Sequence, residues 1–202
     1  MVLAGVGDMK RYDNTKIPQG LSSSESFIGT MSAASMQVDN HQAKGDVLSL
    51  TTVAKPGTNI SYGVVAAYAK ESTSTNPIIN VTTNYDGKTV SYNINVNEVD
   101  PNHASRLEMF ALCAYADDVG IGDKSTFGTY QTLQTYQEMA KYNGYISSDS
   151  EGDTLEQFKN EKLNWVNMSH QVMDLLYKCN DLAQYNNGIS IMNLFAKYSK
   201  VE

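Results

Sequence analysis

A chain of 202 residues with 41% hydrophobic content and a formal net charge of −7 is long enough for one ordinary core. The acidic balance contains no basic run, which excludes general nucleic-acid binding, since that needs a basic patch. No apolar run approaches the ~20 residues that span a membrane.

Charged residues make up only 18% of the chain, so Ser, Thr, Asn, Gln and Tyr must cover much of the surface. Thirteen tyrosines stand against one tryptophan and five phenylalanines. Tyrosine carries a polar handle on an apolar ring and suits half-buried and interface positions.

Residues 1–45 show no sustained period and read as an irregular or extended arm rich in Ser, Gly, Ala and Met. Residues 46–202 read as a single α+β domain. The opening MVLAGVGDMKRYD is too short and too quickly charged for a secretory signal. The expectation is therefore a cytoplasmic protein by default, or one exported by a signal-independent route. Gly5, Gly7 and Lys10 lack the preceding strand and the spacing of a phosphate loop.

Val47 to Ala54 predicts a strand, Pro56-Gly57 a turn, and Ile60 to Ala69 a second strand with Ile60, Tyr62, Val64, Ala66 and Tyr68 on one face. A polar loop follows from Lys70 to Pro77. Asp86-Gly87 then sits between two alternating runs, which marks a two-residue hairpin turn. In that register residues i and 173 − i oppose each other. Thr83, Val81 and Ile79 then face Val90, Tyr92 and Ile94 on one side. Asn84, Thr82 and Asn80 face Thr89, Ser91 and Asn93 on the other. A one-residue slip would mix the two faces, so the clean split supports the register. The second strand is expected to end near Val99.

Asp100-Pro101 predicts a helix start, and Leu107, Phe110, Ala111, Ala114 and Tyr115 recur at helical spacing up to Asp117, Asp118 and Gly120. Everything after Pro101 reads as helical. Thr126 to Lys141 predicts a helix capped by Ser125 or Thr126 and closed at Gly144. Thr154 and Gln157 predict a capping box. From there an inner stripe runs to about Leu182, with a break expected near Asn164 to Asn167. Asn186-Asn187-Gly188 reads as a turn before a last short helix, Ile189 to Lys200, with Ile191, Leu194, Phe195 and Tyr198 inward. Strands first and helices after predict a segregated α+β fold: an antiparallel meander of about four strands (roughly 46–99), then helices (101–200) on one face of the sheet.

No motif identifies an activity. Two cysteines, Cys113 and Cys179, fall on predicted helices and read as free buried thiols. His41, His103 and His170 are scattered, with Asp174 four residues beyond His170 as a surface pair. The loop from Gly120 to Thr126 ends in Lys-Ser-Thr before a helix, but Asp123 stands where a phosphate loop needs glycine. It reads as a helix–helix connection. Asp149, Glu151, Asp153 and Glu156 fail the EF-hand spacing and read as a solvated acidic loop. No cofactor is called for.

What remains is a surface: Asn80, Thr82, Asn84, Ser91, Asn93 and Asn95 form an uncharged polar face on the hairpin, suited to hydrogen bonding with a partner. The leading expectation is a non-enzymatic interaction or structural protein with a protein partner, in a bacterial surface or secreted assembly. The alternative is a small cytoplasmic enzyme with a site at the sheet–helix junction, drawing on His103, Asp100 and Glu108 or on Asp117 and Asp118.

Overall fold

The computed structural model describes residues 47–122, 128–147 and 154–200. The expected arm, residues 1–45, lies outside them. Four antiparallel strands, β1 (Val47–Ala54), β2 (Ser61–Tyr68), β3 (Ile78–Tyr85) and β4 (Lys88–Asn95), form a meander in the order β1-β2-β3-β4. Five helices follow: α1 (Arg106–Asp118), α2 (Thr129–Tyr142), α3 (Leu155–Asn160), α4 (Trp165–Lys178) and α5 (Leu182–Tyr198). The α+β architecture expected from the chain order is the one found.

The hairpin shows why. Asp86 and Gly87 hold φ of 50° and 75°, the left-handed geometry that a two-residue turn requires. All pairs from Ile78↔Asn95 to Tyr85↔Lys88 obey the 173 − i register. Ile79, Val81 and Thr83 are buried on the core side, while Asn84, Ser91 and Asn93 are exposed on the other. The inward side of β2 follows the predicted face in Tyr62, Val64, Ala66 and Tyr68, whereas Ile60 lies before the strand and is exposed.

Helix α1 lies against β1, β2 and β3 and is buried nearly all round, including Met109, Phe110, Leu112, Cys113 and Ala116. Other helices pack on its far side, which is why it lacks a wide polar stripe. Arg106, at the start of the helix, is buried and paired with Glu161.

Three boundaries depart from the sequence reading. Strand β4 ends at Asn95, and a 3-10 turn (Val96–Glu98) follows, capped by the Asn95 side chain. Asp100-Pro101 does not start the helix. Its side chain accepts from Asn102 in a tight turn, and α1 begins five residues later behind a reciprocal capping box of Ser105 and Glu108. The intervening residues pair with a distant segment: β5 (Ala104–Ser105) and β6 (Lys162–Leu163) make a two-stranded sheet inside the helical half.

The third departure is at Asn186-Asn187-Gly188, which lies within α5. The turn before α5 falls instead at Asn180, with φ 59°, followed by Asp181 as N-cap. Gly188 is buried because α5 crosses its neighbours there. A Cβ at this position would meet Met173 Cγ and Tyr136 Oη at 2.7 Å. Gly188→Ala would gain about 1 kcal/mol of helix propensity, but must displace the Tyr136 hydroxyl from its bond to the Gln184 carbonyl. We expect a net loss of about 1–3 kcal/mol in urea unfolding, because overpacking and a disrupted buried bond outweigh propensity.

Other expectations hold: Thr154 and Gln157 form the capping box, and Gly144 adopts φ 71° after α2. The long stripe does break, but at Glu161–Asn164, earlier than the expected Asn164 to Asn167, whose last three residues lie in α4; that helix ends at Lys178 and not near Leu182. Among the described residues no helix is long and apolar enough to cross a membrane.

Candidate functional site

The middle of the sheet face turned away from the helices carries two adjacent rows of cross-strand neighbours. One runs Val47, Ala67, Asn80, Asn93; the other runs Leu50, Val65, Thr82, Ser91. Period-two alternation puts them on one side, and the antiparallel register sets them opposite each other. Neither row contains a charge. Each grades from apolar at β1 to amide and hydroxyl at β4.

The polar half is internally organised. Asn80 Nδ2 donates to Ser91 Oγ at 2.7 Å and to Asn93 Oδ1 at 2.5 Å. Thr82 Oγ1 donates to Asn80 Oδ1 at 2.7 Å and lies 3.3 Å from Ser91 Oγ. Asn93 Nδ2 extends the network to Glu71 Oε1 at 2.5 Å. Four of the six predicted residues thus form one network. Asn95 serves a different role: it caps the 3-10 turn and donates to Glu98 Oε1 at 3.0 Å. Asn84 stands apart at the turn end, exposed.

The apolar half escaped the sequence reading. Val47 and Leu50 are 53% and 54% exposed. Their place in the same rows as Asn80 and Thr82, one strand removed, depends on the β1–β2 register, which shifts at a bulge between Val47 and Ser49. A bulge leaves no sure mark in a Ser/Thr-rich strand.

The groups of the enzymatic alternative are each engaged separately. Asp100 closes the 100–103 turn, and His103 is exposed. Glu108 accepts from Ser105 N and from Lys162 Nζ, both at 2.6 Å. Burial pushes its carboxyl up, but Lys162 and the Ser105 donors outweigh that and hold it below the ordinary range. Asp118 accepts from Tyr68 Oη at 2.7 Å, and burial together with that carboxylate pushes the Tyr68 hydroxyl up to about 12. Cys113 is buried and its thiol is pushed up by burial and by Asp117, the reverse of an activated nucleophile. Cys179, expected buried, is exposed; both thiols are free.

Asp117 accounts for the loop that carried a faint phosphate signal. Its carboxylate accepts from Thr129 N at 2.9 Å and from Thr129 Oγ1, so it caps α2 from the end of α1. A Cβ on Gly122 would lie 2.0 Å from Asp117 Oδ1, and one on Gly128 2.9 Å from Oδ2. The anion at this helix N-terminus is the protein's own carboxylate. Gly128 is the N-cap and offers no side chain; Ser125 and Thr126, the expected caps, lie outside the described residues.

Among the described residues no group of three or more His, Cys, Asp and Glu side chains could hold a metal ion. His170 and Asp174 are exposed on α4, and Glu156 pairs with Lys159 at 3.1 Å. His41, Asp149, Glu151 and Asp153 lie outside the described residues. The chain matches no known family model, no curated protein and no solved structure.

Proposed function

We propose that the chain works by binding rather than by catalysis, and that the outer face of the sheet meets a protein partner. One observation carries the reading: two adjacent cross-strand rows, wholly uncharged, with exposed Val47 and Leu50 at one side and a bonded Asn80–Thr82–Ser91–Asn93 network at the other. The cores of protein interfaces are depleted in charge, and this face combines apolar area with hydrogen-bonding capacity. Side chains already held by one another lose less rotamer freedom on binding, which lowers the entropic cost.

The setting we propose is an assembly at a bacterial surface or in secreted material. The low charge and the abundance of Asn, Ser, Thr and Tyr support it. Fractionation of host cells tests the setting.

The surface itself is tested by a photo-crosslinking amino acid at Leu50 or Asn84, against one at Glu138 on the helical side, in host cells. A discrete adduct from the sheet positions, absent at Glu138 and lost on adding Thr82→Lys, is expected. Adducts from Glu138 but not from the sheet would overturn the assignment.

A further inference from the structure

The sheet has two edges, and they differ. At the β1 edge, the Val47/Ser49 bulge breaks the register and Ala54 makes a parallel bridge to Thr154. Bulges and covering segments are ways of blunting an edge strand. The β4 edge has neither among the described residues. Its eight residues, KTVSYNIN, pair with β3 in unbroken register and contain no proline.

The turn decides which backbone groups stay open. A two-residue turn makes Tyr85↔Lys88 a hydrogen-bonded pair, so the bonds to β3 come from Lys88, Val90, Tyr92 and Ile94. The bond from Val96 N to Pro77 O, at 3.0 Å, continues that parity. The N–H and C=O groups of Thr89, Ser91, Asn93 and Asn95 therefore point away from the sheet.

Side chains tell the same story. On the core side, Ile79, Val81 and Thr83 of β3 are buried, whereas Val90, Tyr92 and Ile94 of β4 are only half-buried. The apolar layer stops one strand short of being covered. Charge differs along the strand: Lys88 stands at its start beside the Lys55–Asp86 pair, while the Glu71 and Glu98 carboxylates lie against Asn93 and Asn95 near its end, where Lys200 Nζ donates to the Glu98 carbonyl. An antiparallel copy would bring the basic start of one strand to the acidic end of the other.

We propose that two copies of this chain pair antiparallel along β4, about a two-fold axis at Tyr92, to give one continuous eight-stranded sheet. In this register Ser91 meets Asn93 of the partner subunit and Thr89 meets Asn95 of the partner subunit. All four outward-facing residues then form hydrogen-bonded pairs. Val90 packs beside Ile94 of the partner subunit, and Tyr92 faces Tyr92 of the partner subunit in a non-hydrogen-bonded pair. The match is self-complementary, as a two-fold interface requires, and it is a form of strand addition at an open edge. It goes beyond the binding reading: the outer faces of both copies would join into one surface, but that reading stands whether or not the copies pair.

Sedimentation equilibrium of the full chain tests the pairing. A mass twice the 22.2 kDa of one chain is expected. Ser91→Pro removes an outward N–H without touching the backbone bonds to β3, though it gives up the Ser91 Oγ bonds to Asn80 and Thr82, and should return the mass to that of one chain while the protein still melts cooperatively. A second measurement does not depend on that variant folding. Tyr92→Cys in a Cys179→Ser background should give a disulfide-linked dimer on mild oxidation, because opposed non-hydrogen-bonded residues lie about 4.5 Å apart at Cα. Val90→Cys in the same background should not, since its opposite residue is Ile94. A single-chain mass at about 100 µM, a weak association at best, would overturn the proposal. So would a dimer that survives in folded Ser91→Pro, or equal crosslinking from Val90→Cys.

Discussion

Trp165→Ala is expected to destabilise the protein by about 3–5 kcal/mol, the range for deleting a large buried aromatic. Trp165 is fully buried, and it is the chain's only tryptophan. Two bonds tie it to the segment between sheet and helices: its backbone N donates to Pro101 O at 2.9 Å, and Nε1 donates to Ala104 O at 2.8 Å. It therefore fastens the start of α4 to the turn that positions α1. Trp165→Phe should fall between wild type and alanine. It keeps most of the apolar volume but removes the indole bond to the Ala104 carbonyl, a loss of about 1–3 kcal/mol. Urea unfolding followed by circular dichroism is the measurement, since the substitutions remove the fluorophore. A loss below about 1 kcal/mol for the alanine variant would be inconsistent with a packed site, given the usual cost of such truncations.

Asp117→Ala should cost about 2–3 kcal/mol, near the upper range for losing a charged hydrogen-bond acceptor. Thr129 is fully buried, so its N–H and hydroxyl cannot turn to water when the carboxylate goes. The loss should exceed that of an exposed N-cap, because the partner donors are desolvated. Gly122→Ala gives an independent test, since its Cβ would occupy the space of the carboxylate, 2.0 Å from Oδ1. If Asp117 is the cap, Gly122→Ala should destabilise the wild type more than it does the Asp117→Ala variant. Equal effects in the two backgrounds would show that the two positions are uncoupled.

These positions show how far local patterns carry. The hairpin was legible because its determinants are local: Asp86-Gly87 supplies the turn, and alternation on both sides leaves one register that keeps the faces clean. The Thr154–Gln157 box and the Gly144 terminus were legible for the same reason. Asp100-Pro101 carried an equally good start signal, yet α1 begins at Arg106. Of the four residues between, Ala104 and Ser105 are claimed by β6, and Ala104 also by Trp165, some sixty positions away. Helix α5 runs through Asn186-Asn187-Gly188 because a glycine there permits close approach to Met173 and Tyr136; as a local signal it reads as a turn.

The candidate surface divides along the same line. Its polar half, Asn80, Thr82, Ser91 and Asn93, follows from hairpin register alone, and the bonds among these residues follow from that register. Its apolar half, Val47 and Leu50, required the β1–β2 bulge.

By itself the sequence determined the order of strands and helices, the hairpin and its faces, and most of the core stripe, since period and turn chemistry act within a few residues. Only the tertiary structure decided where α1 starts, why Gly188 sits in a helix, and that Asp117 is a cap. Each of these is settled by a buried contact between segments far apart in the chain, where packing and the need to pair buried polar groups override local preference.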